Sequence, residues 1–83
     1  MDGRTTAETI KGWVLEGKAD GATHVVIMRD TFDGSTSPIN VMPGEDVHCI
    51  AVDNDEEMEK VVEVYNLALD IDDQLLEDRA MNL

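Results

Sequence analysis

The chain has 83 residues, and its 19 acidic and 6 basic side chains give a formal net charge of −13. This length predicts a single domain over residues 1–83, and because such a domain buries only about 60% of its unfolded surface, a homo-oligomer is expected. The acidic excess argues against direct binding to nucleic acid or to a membrane, since both need clustered lysine and arginine. No apolar run resembles a secretory signal or a membrane span, so a cytoplasmic location is expected.

The first predicted element is a helix that begins after Thr6 and ends at Asp20-Gly21. Ile10, Trp13 and Val14 follow the i, i+3, i+4 spacing of a buried helical stripe, to which Gly17 can be added. Glycine tolerates the left-handed conformation that ends many helices, which favours Gly21 as the residue after the helix.

Two strands are predicted next. Residues 23–29 contain four consecutive apolar residues rich in β-branched side chains, which indicates a strand covered on both faces or at the centre of a small sheet. Residues 38–42 form a second strand, and Pro38 is expected at its beginning because proline cannot donate to the ladder. Residues 30–37 between them have turn chemistry and predict a long exposed hairpin tip.

The remaining elements are less uniform. Residues 47–53 fit a third strand and also one or two helical turns, and both alternatives stay open. A helix is then predicted with Asp53 or Asn54 as its cap, residues 55–57 as its acidic first turn, and an apolar stripe from Met58 to Leu69. Residues 71–81 are predicted as a separate helix or as a kinked continuation, with Asp70 and Asp73 resembling a capping pair. Val64, Leu67 and Ile71 lie outside the main apolar stripe of this predicted helical region. They are explained either by a surface that pairs with a second copy of the chain or by a second buried face within the monomer. The predicted fold class is α+β: an N-terminal helix, a two- or three-stranded antiparallel sheet, and a C-terminal acidic helix or helix pair.

Negative charge is concentrated in the second half of the chain. Residues 1–44 carry a net charge of −2 and residues 45–83 carry −11. Ten acids lie between Asp55 and Asp78; a helix there would be about 36 Å long and would carry about one charge per 3.6 Å, similar to one strand of DNA. The other interpretation of such a surface is a solvated acidic face that maintains solubility.

Two sets of candidate site residues follow. Phe32 is an aromatic residue between acids in an exposed turn, as contact anchors often are. The candidate partner-binding residues are Glu56, Glu57, Glu59, Glu63, Asp70, Asp72, Asp73 and Phe32. The candidate ligand-binding residues are His24, Arg29, Asp30, Thr31, Asp33 and Tyr65. Because a strand holds His24 and Asp30 about 20 Å apart, the two cannot form an acid–base pair within one strand.

Catalytic, metal and cofactor sites are not expected from the sequence. It contains no glycine-rich phosphate loop, no nucleophile elbow and no histidines at ligand spacing. The loop that starts at Asp30 lacks the alternating acids of a calcium loop and has Val41 where the bidentate glutamate would stand. Cys49 lies in an apolar run and is expected to be a small core residue.

Three segments resemble a family of short uncharacterised proteins encoded by bacteriophages and prophages. They are GATHVVIMRDTFD at 21–33, PINVMPGEDV at 38–47 and VEVY at 62–65. The resemblance covers about residues 12–80 and departs from the family at Asn40, where the family tends to have tyrosine. It implies a phage context, and therefore the host cytoplasm, and no particular activity. The resemblance also implies that several positions matter for folding or for function: Thr23, His24, Asp30, Thr31, Phe32, Asp33 and Tyr65.

Together these features predict a non-enzymatic inhibitor that binds a basic host protein or complex and occupies its nucleic-acid-binding groove with acidic residues. The resemblance contributes to this prediction, because small acidic phage proteins with no catalytic motif commonly act by stoichiometric binding, for example as anti-defence inhibitors that mimic nucleic acid. Opposite charge steers such encounters. The alternatives are a homo-oligomer that sequesters a nucleotide-like signal and a structural or regulatory homodimer.

Overall fold

The computed structural model describes residues 7–55, 58–77 and 80–83. In chain order the elements are α1 (Ala7–Ala19), β1 (His24–Asp30), β2 (Thr36–Val41), α2 (Val47–Asn54), β3 (Glu59–Asn66) and α3 (Ile71–Leu75). The strands form one antiparallel sheet in the order β2-β1-β3. The α+β prediction is therefore confirmed, with three strands. The predicted cap at Thr6 lies outside the described residues.

β1 is the central strand and is buried on both faces, as its run of apolar residues predicts. On one face Val25 and Ile27 pack with α1, through Ile10 and Val14, and with apolar residues at α3. On the other face Val26 and Met28 pack against α2. The sheet therefore separates two small cores. Val64 is buried in the second, and Leu67 and Ile71 pack, partly buried, against the first.

The helix predicted from a cap at Asp53 or Asn54 through Leu69 is wrong, because the two cap residues end α2 and the segment that follows contains β3. The cause is a bulge: Glu63 pairs with Ile27 and Val61 with Met28, so Val62 has no partner residue in β1. The extra residue puts Val61 and Val64 on the same face of the sheet although they are three apart in sequence. A spacing of three is typical of a helix, and the bulged strand reproduces it.

The open alternative at 47–53 is resolved as helix. Asp46 is the N-cap of α2, and its Oδ1 accepts hydrogen bonds from His48 N at 2.9 Å and Cys49 N at 3.4 Å. Val47, Ile50 and Ala51 face the second core. A side chain that satisfies two exposed amides at the start of a helix offsets the β propensity of the residues that follow.

α1 ends as its sequence predicts. Gly21 has φ +87°, Ala22 N donates to Gly17 O at 2.9 Å, and Gly21 N donates to Lys18 O at 3.1 Å, which is the Schellman arrangement. Gly17 itself is needed at its position, because a Cβ there would lie 2.8 Å from Val25 Cγ2. The absence of a side chain allows α1 to lie directly on the sheet.

The hairpin differs from its prediction in two details. β2 starts at Thr36, so Pro38 is its third residue and pairs with Ile27. An edge strand accepts proline where the missing N–H would point away from the sheet. The connecting loop is consequently shorter than predicted and comprises residues 31–35, which we call the hairpin tip.

The C-terminal part is also less helical than predicted. α3 has five residues and is capped by Asp70, whose Oδ1 accepts from Asp73 N at 2.9 Å, as expected. Residues 80–82 then run beside β3, where Val64 N donates to Ala80 O and Asn82 N donates to Val64 O. This short segment covers part of the outer edge of β3.

The acidic residues of the second half are distributed over both sides of the sheet. α2 lies on one face and α3 on the other, and the described fold measures 31 Å along its longest axis. The continuous acidic helix on which the comparison with a DNA strand depends is not formed. Within the described part of the chain, no helix is sufficiently long and apolar to cross a membrane.

Candidate functional site

The hairpin tip is held in shape by a dense set of hydrogen bonds. Asp30 Oδ1 accepts from Phe32 N at 2.7 Å, and Asp33 Oδ1 accepts from Ser35 N at 2.8 Å. Gly34 N donates to Asp30 O at 2.8 Å, and Gly34 has φ +76°, a conformation that favours glycine. Hydrogen bonds from Ser35 also lower the pKa of Asp33. The acids of this loop are therefore structural as well as charged.

The tip is also attached to the start of β3. Thr31 N and Thr31 Oγ1 both donate to Met58 O, at 2.8 Å and 3.0 Å. Asp30 is the partner of Glu59 in the sheet. The loop and the first residues of β3 thus form one surface.

Phe32 lies on this surface and is 86% exposed. Met58, next to the attachment point, is exposed as well. Burying a phenylalanine side chain stabilises a fold or a complex by about 1.5–3 kcal/mol relative to leaving it exposed. The exposed ring of Phe32 does not make this contribution to folding. Acidic residues lie close by in the fold: Asp30 accepts from Phe32 N, Asp33 follows Phe32 in the loop, and Glu59 is the strand partner of Asp30. An exposed aromatic ring on an ordered loop with charged neighbours has the composition of an interface anchor with a polar rim.

Behind the tip lies an open cleft of about 550 Å³ lined by both loop and strand residues. Its lining residues are Arg29, Asp30, Thr31, Asp33, Gly34, Lys60 and Val62. Four of the six candidate ligand-binding residues are therefore brought together. Lys60, which the sequence analysis missed, joins them because it is the partner of Arg29 across β1 and β3. Recognising it required the strand register, which the sequence did not reveal.

The other two candidate ligand-binding residues are elsewhere. His24 is at the opposite end of β1, where its Nδ1 lies 3.0 Å from Thr23 Oγ1 and its Nε2 lies 3.2 Å from Leu83 O. It lines a different cavity, with Lys18 and Asn66 among its neighbours. Tyr65 is 1% exposed and belongs to the first core. Neither residue contributes to the cleft at the tip.

Tyr65 and Glu63 form a structural pair. Tyr65 OH donates to Glu63 Oε2 at 2.9 Å, and Ala80 N donates to the same oxygen at 3.2 Å. The pKa of Tyr65 is raised, mainly by its burial and to a smaller extent by its hydrogen bond to Glu63. Glu63 was a candidate partner-binding residue, but two of its hydrogen bonds hold the fold together.

The acids at α3 have mixed roles. Asp70 caps the helix, and Asp72 Oδ1 lies 2.8 Å from Lys11 Nζ on α1, which raises the pKa of Lys11. Asp73 is exposed in the first turn of α3. Glu56 and Glu57 lie outside the described residues. Of the candidate partner-binding acids, the structure thus leaves Glu59 and Asp73 exposed and without a structural side-chain bond among the described residues.

Gln74 is a residue whose importance the sequence analysis missed. It is 2% exposed, and its Nε2 donates to Asn66 O and Asp70 O. Its Oε1 accepts from Asn66 N at 2.8 Å and from Asn82 Nδ2 at 3.0 Å. The sequence feature that indicates this role is the position of Gln74, a polar amide among the apolar residues Ile71 and Leu75. We call Thr23, His24, Asn66, Gln74, Asn82 and Leu83 the closed end of the sheet.

Cys49 is exposed on α2, so the expected place in the core is wrong. The negative charges of Asp46 and Asp53 and its own desolvation raise the pKa of its thiol, which disfavours the reactive thiolate. The described residues contain no group of three or more side chains that could hold a metal ion.

No family model, no curated protein and no solved structure matches this chain. The chemistry of the hairpin tip and its cleft therefore carries the functional argument.

Proposed function

We propose that this protein is a non-enzymatic inhibitor that binds a basic partner protein whose own role is to handle nucleic acid, with the hairpin tip as the contact surface. The observation that carries the proposal is Phe32, which is 86% exposed on a loop fixed by hydrogen bonds. A loop that is already ordered loses little entropy on binding, so more of the gain from burying the ring becomes affinity. The phage context and the host cytoplasm belong to the same proposal and come from the sequence resemblance.

The charge around the anchor defines the class of partner. Asp30 and Asp33 flank Phe32 along the chain, Glu59 is the strand partner of Asp30, and the whole chain carries a charge of −13. Such a surface attracts a groove lined by lysine and arginine, which is the usual surface for binding phosphates. An apolar pocket within that groove would accept the ring. The tip would then compete directly with nucleic acid.

The proposal is tested by inhibition. The wild-type chain is used to isolate its partner from host lysate at low salt, and the nucleic-acid-dependent activity of that partner is measured against increasing inhibitor. We expect Phe32→Ala to weaken inhibition about 30-fold or more, because truncating a central aromatic anchor commonly costs about 2 kcal/mol or more.

The matched control is Leu76→Ala. Leu76 is 84% exposed and follows α3, so its truncation removes a comparable apolar side chain from a different surface. We expect its inhibition curve to match the wild type. Equal inhibition by the wild type and Phe32→Ala, or a larger loss with Leu76→Ala, would contradict the proposal.

A further inference from the structure

We infer that the cleft behind the hairpin tip binds a small phosphate ester that carries hydroxyl groups, such as a nucleotide. This site is distinct from the exposed Phe32 anchor and goes beyond inhibition of a partner. It follows from two cations on neighbouring strands, one carboxylate at the end of β1 and one on the loop, and an open cleft of about 550 Å³ that all four residues line. Pockets for small molecules commonly measure about 300–1,000 Å³.

Arg29 is available for a ligand. Its guanidinium forms no hydrogen bond and no ion pair with any of the residues that the structure describes. Its Nη2 lies 3.8 Å from the place where a Cβ on Gly34 would stand, so the guanidinium lies next to the glycine that lines the loop side of the cleft. A planar guanidinium edge matches two oxygens of a phosphate group, which makes a bidentate contact possible.

Lys60 supplies the second cation. It is opposite Arg29 in the antiparallel pair, so both side chains leave the same face of the sheet. Its Nζ is 4.0 Å from Asp55 Oδ1, at the limit of an ion pair, and about half of each side chain is exposed. An anion between Arg29 and Lys60 would therefore replace a weak contact.

Other lysines are less suited to this role. Lys11 is held by Asp72 at 2.8 Å, and Lys18 lines the cavity at the opposite end of β1. Arg29 and Lys60, by contrast, line the same cleft. The distant acids of the chain are largely screened at physiological ionic strength, where the Debye length is about 8 Å.

The loop carboxylates distinguish a phosphate ester from inorganic phosphate. Asp30 and Asp33 line the same cleft, and each uses Oδ1 to accept a backbone amide of the tip. Their remaining acceptor capacity suits hydroxyl donors, as when an acidic residue binds the ribose of a dinucleotide. The cleft thus offers cations to a phosphate on the strand side and acceptors to hydroxyls on the loop side.

The test is a titration of the full-length, ¹⁵N-labelled chain followed by amide chemical shifts. The probes are adenosine 5′-monophosphate, adenosine and inorganic phosphate, each at millimolar concentrations. We expect saturable shifts at residues 29–34 and at Lys60 with the monophosphate, weaker binding of inorganic phosphate, and no saturable shift with adenosine. Arg29→Gln and Lys60→Gln should each weaken the monophosphate about tenfold or more, the usual effect of losing a charge-assisted contact.

Lys18→Gln is the matched control and should bind the monophosphate as the wild type does. Arg29 and Lys60 are exposed, so the spectra of their variants should otherwise match the wild type and report an intact fold. The inference is overturned by the absence of saturable shifts, by equal binding of adenosine or of inorganic phosphate, or by an equal loss in Lys18→Gln. Because Phe32→Ala leaves the cleft intact, its inhibition result and this titration can fail independently.

Discussion

At the closed end of the sheet the polar side chains bond to the fold itself, whereas at the hairpin tip they hold a loop that faces solvent. Gln74 uses both of its amide atoms on the backbone of Asn66 and on neighbouring groups. At the tip, Asp30 and Asp33 fix the loop while Phe32 remains in water. Side-chain hydrogen bonds thus stabilise the packed domain at one end and hold an exposed loop in one conformation at the other.

The largest effect on stability should come from the closed end. Gln74→Leu keeps the apolar packing but leaves Asn66 N and Asn66 O without their side-chain partner. Leaving buried backbone groups unpaired costs about 1–3 kcal/mol, and we expect about 2–3 kcal/mol in the free energy of unfolding measured with urea. Asn82→Ala removes one of the four bonds and should cost less. An equal or larger cost for Asn82→Ala would contradict the central role of Gln74.

A second pair of variants tests the contact between α1 and the sheet. Gly17→Ala would place Cβ 2.8 Å from Val25 Cγ2 and 3.0 Å from Asn40 Oδ1, so we expect a loss of about 1–3 kcal/mol from overpacking. Gly12, in the same helix, has open space around it. Gly12→Ala should therefore stabilise the chain by about 0.5–1 kcal/mol through helix propensity. Thermal unfolding of both variants compares them directly, and effects of the same sign would be inconsistent with the close approach of Gly17.

Tyr65 gives a pH-dependent prediction. Its pKa is raised in the folded chain, so the neutral phenol is the form that folding favours. This contribution is fully present below the unfolded pKa of about 10 and is lost as pH rises above it. We expect Tyr65→Phe to cost about 1 kcal/mol near neutral pH through the lost bond to Glu63.

The same variant should lose less stability than the wild type between neutral pH and pH values above about 10. Urea unfolding at a series of pH values measures this difference. A difference between the two proteins that stays constant with pH would show that Tyr65 does not titrate in the way its burial requires.

The smallest effect concerns charge at the tip. Glu59→Gln removes an exposed charge beside Asp30, and we expect slower association with the partner and a weaker dependence on salt, because rim charges act mainly on the association rate. Asp73→Asn removes one exposed charge from α3 and should change the rate less. Stopped-flow association at two salt concentrations measures both. If Asp73→Asn had the larger effect, the steering surface would be at α3.

Much of the fold could be predicted because local chemistry agrees with the tertiary structure. The apolar run of β1 and the glycine after α1 are such cases. β3 could not be predicted, because the bulge at Val62 gives its buried valines a helical spacing. α2 stayed undecided until its cap at Asp46 was seen.

The candidate site at the hairpin tip could also be predicted in part. An aromatic among turn residues indicated Phe32, and residues adjacent in sequence indicated the cluster from Arg29 to Asp33. Lys60 could not be found, because it reaches Arg29 only through the pairing of β1 with β3. His24 is among the candidate ligand-binding residues, but it lies at the opposite end of the seven-residue strand β1 from Asp30.

The most direct test of the division between the two ends is to measure inhibition and stability together for Phe32→Ala. We expect inhibition of the partner to fall about 30-fold or more, while the free energy of unfolding stays within about 0.5 kcal/mol of the wild type. Leu76→Ala should leave both quantities unchanged. Undiminished inhibition by a stably folded Phe32→Ala chain would contradict the assignment of the hairpin tip as the binding surface.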